Sequence, residues 1–372
     1  MADTALYPKL ITDALATVRY PGTGKNIVEM GMVEDDIRIE GRKVSFSIKF
    51  SKPTDPFIKS IVRAAEAAIL TRVGSDVDIK GNIAVKTPQQ AAKAAQTDKP
   101  LAGVKNIIGV SSGKGGVGKS TVASNLAVSL AQLGYKVGLL DADIFGPSMP
   151  KMFGIEDEQL YVHPVDGKNL IIPAEKYGVK LLSIGFVVDK DKAVLWRGAM
   201  ASNALKQLIC EAEWGDLDYF IIDMPPGTSD IHLTLVQTLA ITGAIVVTTP
   251  QEVALADARK GVSMFLGQQV GVPVLGIVEN MSWFTPAAHP GEKYFIFGKD
   301  GGKHLAESLG VELLGQIPLV AGICRGGDDG VPVTLQNSVS GASFMQLARN
   351  VVEAVDKRNA TMPPTHKVDT TH

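Results

Sequence analysis

The stretch Gly113-Lys-Gly-Gly-Val-Gly-Lys-Ser-Thr121 matches the phosphate-binding pattern G-x-x-x-x-G-K-[ST], where x is any residue. Glycines in such a loop let successive backbone N–H groups turn toward phosphate oxygens, and the lysine brings a positive charge to the β- and γ-phosphates. The serine hydroxyl is a ligand for Mg²⁺. The pattern predicts a nucleotide site with contacts from Gly113, Lys114, Gly115, Gly116, Val117, Gly118, Lys119, Ser120 and Thr121.

The residues on either side give this stretch the setting that such a loop requires. Residues 106–111 form a short apolar run that predicts a buried strand, and residues 120–131 carry Val122, Leu126 and Leu130 on one helical face. A helix placed there points its positive end at a bound anion. Because 38 of the 372 residues are glycine, the pattern alone could arise by chance, and the strand and helix are what favour a nucleotide site.

Length and composition indicate two domains and an ordinary charge balance. The chain is 45% hydrophobic, which is ample for a sizeable core, and its formal net charge of −2 gives no general attraction to nucleic acid. Residues 1–8 lack the features of a signal peptide, and no apolar run is long enough to span a membrane. Two cysteines, Cys210 and Cys324, fit a reducing compartment and exclude a disulfide framework. We expect a cytoplasmic protein that binds neither nucleic acid nor membrane.

Four segments are predicted along the chain. Residues 1–86 combine helical patterns with a strictly alternating strand at 44–50, which predicts a small α+β domain. Residues 87–105 are rich in Ala, Gln and Lys and predict a flexible linker, and the polar residues 357–372 predict a disordered tail. Between them, residues 106–356 alternate nearly continuous apolar strands with helices. That alternation predicts an α/β domain with a doubly wound, mostly parallel sheet and a ligand at the carboxyl ends of the strands.

Acidic residues follow two of the predicted buried strands, where ligand-facing loops are expected. Asp141 and Asp143 follow the strand at 137–140, and a carboxylate there can orient or deprotonate an attacking water molecule. We assign that role to Asp143 and a structural role to Asp141. Asp223 ends the strand at 219–222 and is expected, with Ser120, to hold Mg²⁺.

Three further residues follow predicted strands at the same edge of the sheet. We expect the backbone of Gly227 to sense the γ-phosphate, whereas Asp230 is a candidate cap for a helix that begins near Ile231. Asn280 closes another strand, and its side chain can donate and accept hydrogen bonds at the edge of adenine; a turn-forming role is the alternative.

Lys114 comes directly after the first glycine and gives Gly-Lys-Gly-Gly-x-Gly-Lys-[ST]. This resembles the deviant Walker A signature of the ATPases that include MinD, ParA and the nitrogenase iron protein. The resemblance implies a homodimer in which Lys114 reaches the partner's nucleotide, as an arginine finger does. A plain surface lysine is the alternative. With Lys114 in that role, the predicted catalytic residues are Lys114, Lys119 and Asp143.

Several ordered motifs resemble those of the Mrp/ApbC iron–sulfur cluster carriers. They lie at 143–150, 196–198, 224–230, 280–282 and 297–302, and residues 27–33 are similar to the small MIP18-like domain that accompanies this branch. The resemblance implies a homodimeric, slow, Mg²⁺-dependent ATPase that accepts iron–sulfur clusters and transfers them to apoproteins. It also implies that Asn280 faces the adenine base.

One departure from that family concerns the cluster ligands. Many members carry Cys-x-x-Cys shortly after Asn-Met-Ser, but residues 283–294 contain no cysteine, and His289 alone is a poor substitute for thiolates. Cys210 lies in an apolar helical stretch and is expected in the core, whereas Cys324 is expected in a loop. A MinD/ParA-like positioning ATPase and an ATP-gated adaptor that binds no cluster therefore stay open as alternatives.

Overall fold

The computed structural model describes residues 6–34, 36–50, 52, 55–86, 100–165, 168–187, 198–267, 270–286, 288–289 and 291–368. The chain divides into two compact units, Met1–Lys99 and Pro100–His372. Most of the predicted linker, residues 87–99, lies outside the described residues, and so do Trp196 and Arg197 of the predicted motif at 196–198.

The first unit packs two helices against a three-stranded sheet. The middle strand pairs antiparallel with the first strand and parallel with the third, and its alternating residues Val44, Phe46 and Ile48 are buried. The helices contribute Leu15 and Ile61 to the same core. The elements are α1 (Pro8–Leu15), β1 (Arg38–Glu40), β2 (Lys43–Lys49), α2 (Ile58–Arg72) and β3 (Ile83–Lys86).

The second unit is built on an eight-stranded sheet in the order β13-β12-β11-β4-β10-β5-β9-β8. All neighbouring strands are parallel except β8, which pairs antiparallel with β9, so the predicted doubly wound, mostly parallel sheet is confirmed. Strands β6 and β7 form a separate antiparallel hairpin. The bounds are β4 (Val104–Ser112), β5 (Val137–Asp141), β6 (Tyr161–Val165), β7 (Lys168–Ile172), β8 (Ala174–Lys176), β9 (Val179–Ser183), β10 (Leu217–Asp223), β11 (Gly243–Thr248), β12 (Val274–Glu279) and β13 (Leu313–Gln316).

Helices cover both faces of this sheet, which is why its strands are nearly continuously apolar. Adjacent residues of one strand enter different cores: Leu139 packs on one face and Leu140 on the other, and both are fully buried. Burial of each such leucine contributes about 2 kcal/mol. The helices are α3 (Lys119–Gln132), α4 (Met149–Met152), α5 (Gly198–Cys210), α6 (Asp230–Thr238), α7 (Glu252–Leu266), α8 (Gly301–Leu309), α9 (Ala321–Asp328) and α10 (Val339–Thr361), with short 3₁₀ turns at Ile184–Phe186 and Val333–Leu335.

The last helix, α10, continues past residue 356, where the sequence places the end of the ATPase domain. Arg358 near its end is buried and donates a hydrogen bond to the carbonyl of Pro363, with Nη2 2.7 Å from the oxygen. Further on, the N–H of Val368 donates to the carbonyl of Val236 in α6 over 3.0 Å. The start of the predicted tail is therefore ordered by contacts with the second unit. Across the described ranges, none of the helices combines the length and apolarity that a membrane span needs.

Candidate nucleotide-binding site

The phosphate loop joins β4 to α3 at the carboxyl edge of the sheet. Gly113 lies so close to α7 that a Cβ atom there would be 2.2 Å from the carbonyl carbon of Asp257. Gly118, the residue before the first turn of α3, has a left-handed φ of +83°, and a Cβ there would lie 2.2 Å from Nδ2 of Asn280. Both fixed glycines of the pattern are thus required by packing as well as by phosphate access, and Gly118 is required by its backbone conformation too.

Lys119 is the first residue of α3, and its ammonium lies between two carboxylates. Nζ is 2.6 Å from Oδ1 of Asp223 and 3.6 Å from Oδ2 of Asp143. The lysine side chain is only 6% exposed, so these contacts operate where solvent screening is weak. The structure thereby brings together three residues that lie apart in sequence and that the sequence assigned to one site.

Ser120 and Asp223 form the oxygen-rich side of the site. The Ser120 hydroxyl donates to Oδ2 of Asp223 over 2.6 Å, and the Asp223 carboxylate is fully buried. Hydroxyl and carboxylate oxygens next to a phosphate loop are the donor set that Mg²⁺ takes in proteins. The residues present therefore fit the predicted Mg²⁺ site.

Asp141 organises the loop that follows β5. Its buried carboxylate accepts hydrogen bonds from the backbone N–H groups of Asp143, Ser148 and Met149 and from the hydroxyl of Ser183. Burial raises the pKa of Asp141 to about 7. The carboxylate is occupied by hydrogen bonds within the loop and from Ser183, and its structural role stays a prediction.

Asp143 faces the phosphate-loop lysine and keeps some contact with solvent. Its side chain is 15% exposed, and burial raises its pKa while the nearby Lys119 ammonium opposes that rise. A carboxylate with a raised pKa beside the phosphate end of the site has the chemistry of a water-positioning group.

The loop between β10 and α6 lies against the phosphate-loop strand. The Gly227 N–H donates to the Ser112 carbonyl over 2.9 Å, and Gly227 has a left-handed φ of +74°. Ser229 rather than the predicted Asp230 precedes the first turn of α6, and Asp230 is its first helical residue. This corrects the predicted cap, because Ser229 has the extended backbone that a capping residue adopts.

Lys114 lies in the same loop, partly exposed, and its carbonyl accepts the Ser112 hydroxyl over 2.9 Å. Gly115 and Gly116 next to it are exposed, whereas Val117 is buried. The loop is therefore exposed to solvent at Gly115 and Gly116 and packed into the domain at Val117.

Asn280 supports the phosphate loop directly. Its Nδ2 donates to the carbonyl of Val117 over 2.8 Å, and the side chain is 5% exposed. One N–H of the amide is used by that carbonyl, so Oδ1 and the second N–H are the groups that Asn280 can offer to another partner. The sequence did not predict this link between the end of β12 and the loop.

A cavity of about 420 Å³ opens beside these residues. One wall comes from Gly118, Thr121 and Asn280, and the other from the segment after β13 and from α9. The Ser148 hydroxyl, which also lines it, is buried and makes no hydrogen bond. The far wall was not predicted from the sequence, although Ile317-Pro318, directly after a strand at the carboxyl edge, indicates a ligand-facing segment. The residues of that wall are Pro318, Leu319, Val320, Ile323, Cys324, Gly327 and Asp328.

The segment in which many family members carry Cys-x-x-Cys forms an aromatic hairpin here. The backbones of Phe284 and Tyr294 exchange two hydrogen bonds of 2.8 Å, and the Lys293 ammonium lies 3.8 Å from the centroid of the Trp283 ring. His289 is exposed, and its nearest charged partner is Glu292 at 3.7 Å. Within the described part of the chain, no group of three or more His, Cys, Asp or Glu side chains is arranged to hold a metal ion.

The two cysteines are not where the sequence predicted them. Cys210 was expected in the core but is exposed, because the C-terminal end of α5 turns it away from the buried Ile209. Cys324 was expected in a loop but lies on the exposed side of α9, whose Ile323 faces the sheet. The two helices pack on opposite faces of the sheet, so the two thiols do not share a site.

Comparison with known proteins extends these observations. The family model of the NUBPL iron-transfer P-loop NTPases matches residues 103–353, and that of the iron-sulfur cluster assembly proteins matches residues 9–80. The iron-sulfur cluster carrier protein of Synechocystis sp. is 44% identical over 353 residues, covering 93% of this chain and 98% of that protein. The iron-sulfur cluster carrier protein of Aquifex aeolicus is 48% identical over 265 residues, covering 70% and 71%.

A solved structure supports the same relationship. The nucleotide-binding protein of Archaeoglobus fulgidus, determined in complex with ADP, is 35% identical and superposes with a TM-score of 0.57, covering 68% of this chain and 96% of that one. The predicted resemblance is confirmed, and the chain belongs to the family of NUBPL iron-transfer P-loop NTPases.

Proposed function

We propose that this protein binds and hydrolyses ATP as a homodimeric, cytoplasmic carrier that delivers iron–sulfur clusters to apoproteins. The observation that carries the nucleotide part is the Lys119 ammonium between Asp223 and Asp143 at the end of an intact phosphate loop. The names of the curated relatives, iron-sulfur cluster carrier proteins, support the cargo. The division into a domain at 1–86, a linker at 87–105, an ATPase domain at 106–356 and a tail belongs to the same proposal.

In the proposed reaction the triphosphate competes with the two carboxylates for Lys119. Lys119 turns to the β- and γ-phosphates, while Ser120 and Asp223 hold Mg²⁺, which would neutralise phosphate charge. Asp143 orients the attacking water, and the Gly227 backbone, which its N–H ties to the phosphate-loop strand at Ser112, senses the γ-phosphate. Lys114 of the partner subunit adds a positive charge next to the transferred phosphoryl group, as in the family that the loop resembles. We expect slow turnover.

The nucleoside is proposed to occupy the cavity beside Asn280. The carbonyl of Val117 accepts one N–H of Asn280 and thereby fixes the amide, and we propose that Oδ1 accepts a hydrogen bond from the base. The exocyclic amino group of adenine donates, whereas guanine presents a carbonyl at the equivalent position. With Oδ1 facing the base, as proposed, the site favours ATP over GTP.

The cluster requires ligands from outside the chain. An iron–sulfur cluster is commonly held by about four thiolates, whereas one protomer offers only Cys210 and Cys324, on opposite faces of the sheet. A twofold dimer can therefore bring at most one thiol from each subunit to one place. We propose that Cys324, which is exposed on α9, is the contributed thiol and that the remaining thiolates come from another molecule.

The nucleotide assignment is tested by phosphate release from the purified full-length protein with Mg²⁺ and ATP. Lys119→Ala should abolish release, because it removes the ammonium that binds the phosphates, and Asp143→Ala should reduce it about 100-fold or more. Normal activity in either variant would refute the site assignment. Tight ATP binding without phosphate release in the wild type would favour an adaptor instead.

The cargo is tested by anaerobic reconstitution with iron and sulfide, with and without glutathione. Visible absorption and iron content per dimer should rise only when the small thiol is present, and the signal should be lost in Cys324→Ala but kept in Cys210→Ala. Absence of a cluster under both conditions, with ATP hydrolysis intact, would count against the carrier role. ATP-dependent binding to liposomes or DNA in a pull-down would favour a positioning ATPase.

A further inference from the structure

Besides the Met224 N–H, which donates to the Val110 carbonyl over 3.0 Å at the start of the segment, two connections join the loop at 224–229 to strand β4. The first is the backbone hydrogen bond from Gly227 to Ser112. The second runs through a side chain, from Ser229 at the end of the loop, through His232, to Ser111 on β4. Ser111 lies two residues before the first glycine of the phosphate loop, so both connections reach the strand that carries it.

His232 lies in the first turn of α6 with its side chain 1% exposed. Its Nδ1 accepts a hydrogen bond from the backbone N–H of Ser229 over 3.2 Å, and its Nε2 is 3.5 Å from Oγ of Ser111. The edge of the ring packs toward Phe265 of α7, with ring centroids 6.2 Å apart. Since the imidazole is held at both nitrogens and on its side, it acts as a fixed spacer between loop and strand.

The direction of the Ser229 hydrogen bond fixes the chemistry of the ring. Nδ1 is an acceptor, so the neutral imidazole carries its proton on Nε2 and can donate it to Ser111. Burial lowers the pKa of His232 to about 4, which keeps the ring in this neutral form near pH 7. An imidazolium would carry a proton on Nδ1 and could not accept from Ser229.

We propose that His232 is a positioning residue for ATP hydrolysis: its imidazole sets the distance between the Gly227 backbone and the phosphate-loop strand. This rests on the proposed ATPase activity, in which Gly227 contacts the γ-phosphate. A link of this kind acts on the hydrolysis step and leaves the groups that bind the nucleotide in place. Loosening it should therefore lower kcat without raising KM.

Three variants of the full-length protein test this, with steady-state phosphate release as the assay. His232→Ala removes both hydrogen bonds and should lower kcat about 10- to 100-fold, with KM changed less than about twofold. His232→Gln is the matched control, because its amide can accept from Ser229 with oxygen and donate to Ser111 with nitrogen; most of kcat should return. Ser111→Ala removes only the contact between Nε2 of His232 and Ser111 and should give a kcat between those of the wild type and His232→Ala.

Hydrogen exchange of the segment 224–229 gives a readout that does not depend on hydrolysis. With the nonhydrolysable analogue AMP-PNP bound, the Gly227 amide should exchange faster in His232→Ala than in the wild type, and His232→Gln should restore its protection. Unchanged kcat and unchanged exchange in His232→Ala would overturn the positioning role, as would equal losses in the Ala and Gln variants. A wild type that releases no phosphate would refute the ATPase proposal and with it the effect on kcat, whereas the exchange comparison would still decide whether His232 holds the Gly227 segment to the strand.

Discussion

Acidification should destabilise the second unit through His232, and the size of the effect follows from its burial. The pKa of this residue is about 4 in the folded protein, against 6.5 for a free histidine. Between these values the unfolded chain binds a proton that the folded chain does not, so the free energy of unfolding falls as pH falls through this window. The difference of pKa corresponds to about 3 kcal/mol of unfolding free energy in full. Between about 2 and 3 kcal/mol of it is lost when the pH falls from about 7 to about 4.5.

The assay is urea unfolding followed by tryptophan fluorescence at about pH 7 and about pH 4.5, in the wild type and in His232→Gln. All three tryptophans, Trp196, Trp214 and Trp283, belong to the second unit, so their emission reports its unfolding and not that of the first unit. On acidification the unfolding free energy of the wild type should fall by between about 2 and 3 kcal/mol more than that of the variant, because glutamine does not titrate.

Another buried group titrates in the same range with the opposite sign. Asp141 has its pKa raised to about 7, so the folded state retains a proton that the unfolded state loses, and its contribution to stability falls as pH rises from about 4 to 7. That contribution is present in both proteins and cancels in their difference. Equal losses of unfolding free energy in the wild type and in His232→Gln would refute the reasoning about the buried neutral imidazole.

Three other predictions concern the nucleotide cavity. ATP should slow maleimide labelling of Cys324, which lines the cavity, and leave Cys210 on the other face unaffected; equal slowing of both, measured by mass spectrometry, would contradict the assignment. Gly118→Ala should raise KM for ATP at least about 10-fold, because its Cβ would meet Asn280, whereas Gly134→Ala, equally left-handed but in open space, should leave KM unchanged in the same assay. Asn280→Asp cannot donate to the carbonyl of Val117 and should weaken ATP binding about 10-fold in a fluorescent-nucleotide titration. Undiminished affinity would show that Asn280 does not contribute to the nucleotide site.

The sequence predicts those parts of the fold that local patterns determine. The glycine and lysine positions of the phosphate loop are set by backbone conformation and by the charge of the ligand. Strands such as 137–140 and 219–222 are recognisable because a parallel strand covered on both faces is apolar at nearly every position. Asp143 and Asp223 could be placed at one edge because parallel strands end together.

The remaining features depend on contacts between distant parts of the chain. The hydrogen bond from Asn280 to Val117 joins residues that lie 163 positions apart. The far wall of the cavity includes residues of α9, a segment that was predicted to be a loop. Cys210 was misplaced for a related reason, since an apolar helical stretch does not reveal which of its last residues faces the sheet. His232 went unnoticed because its role depends on Ser111, 121 residues earlier.

The arrangement of Lys119 between Asp143 and Asp223 has a consequence for the form in which the nucleotide enters. With all three groups ionised, this trio carries one net negative charge, in a place where solvent screens poorly. A free ATP tetra-anion would be repelled there, whereas an ATP molecule that brings its own divalent cation carries two fewer negative charges and is repelled less. The site should therefore bind the metal–nucleotide complex more tightly than free ATP. In ATP titrations with and without a chelator of divalent cations, Asp223→Asn should reduce the difference between the two affinities.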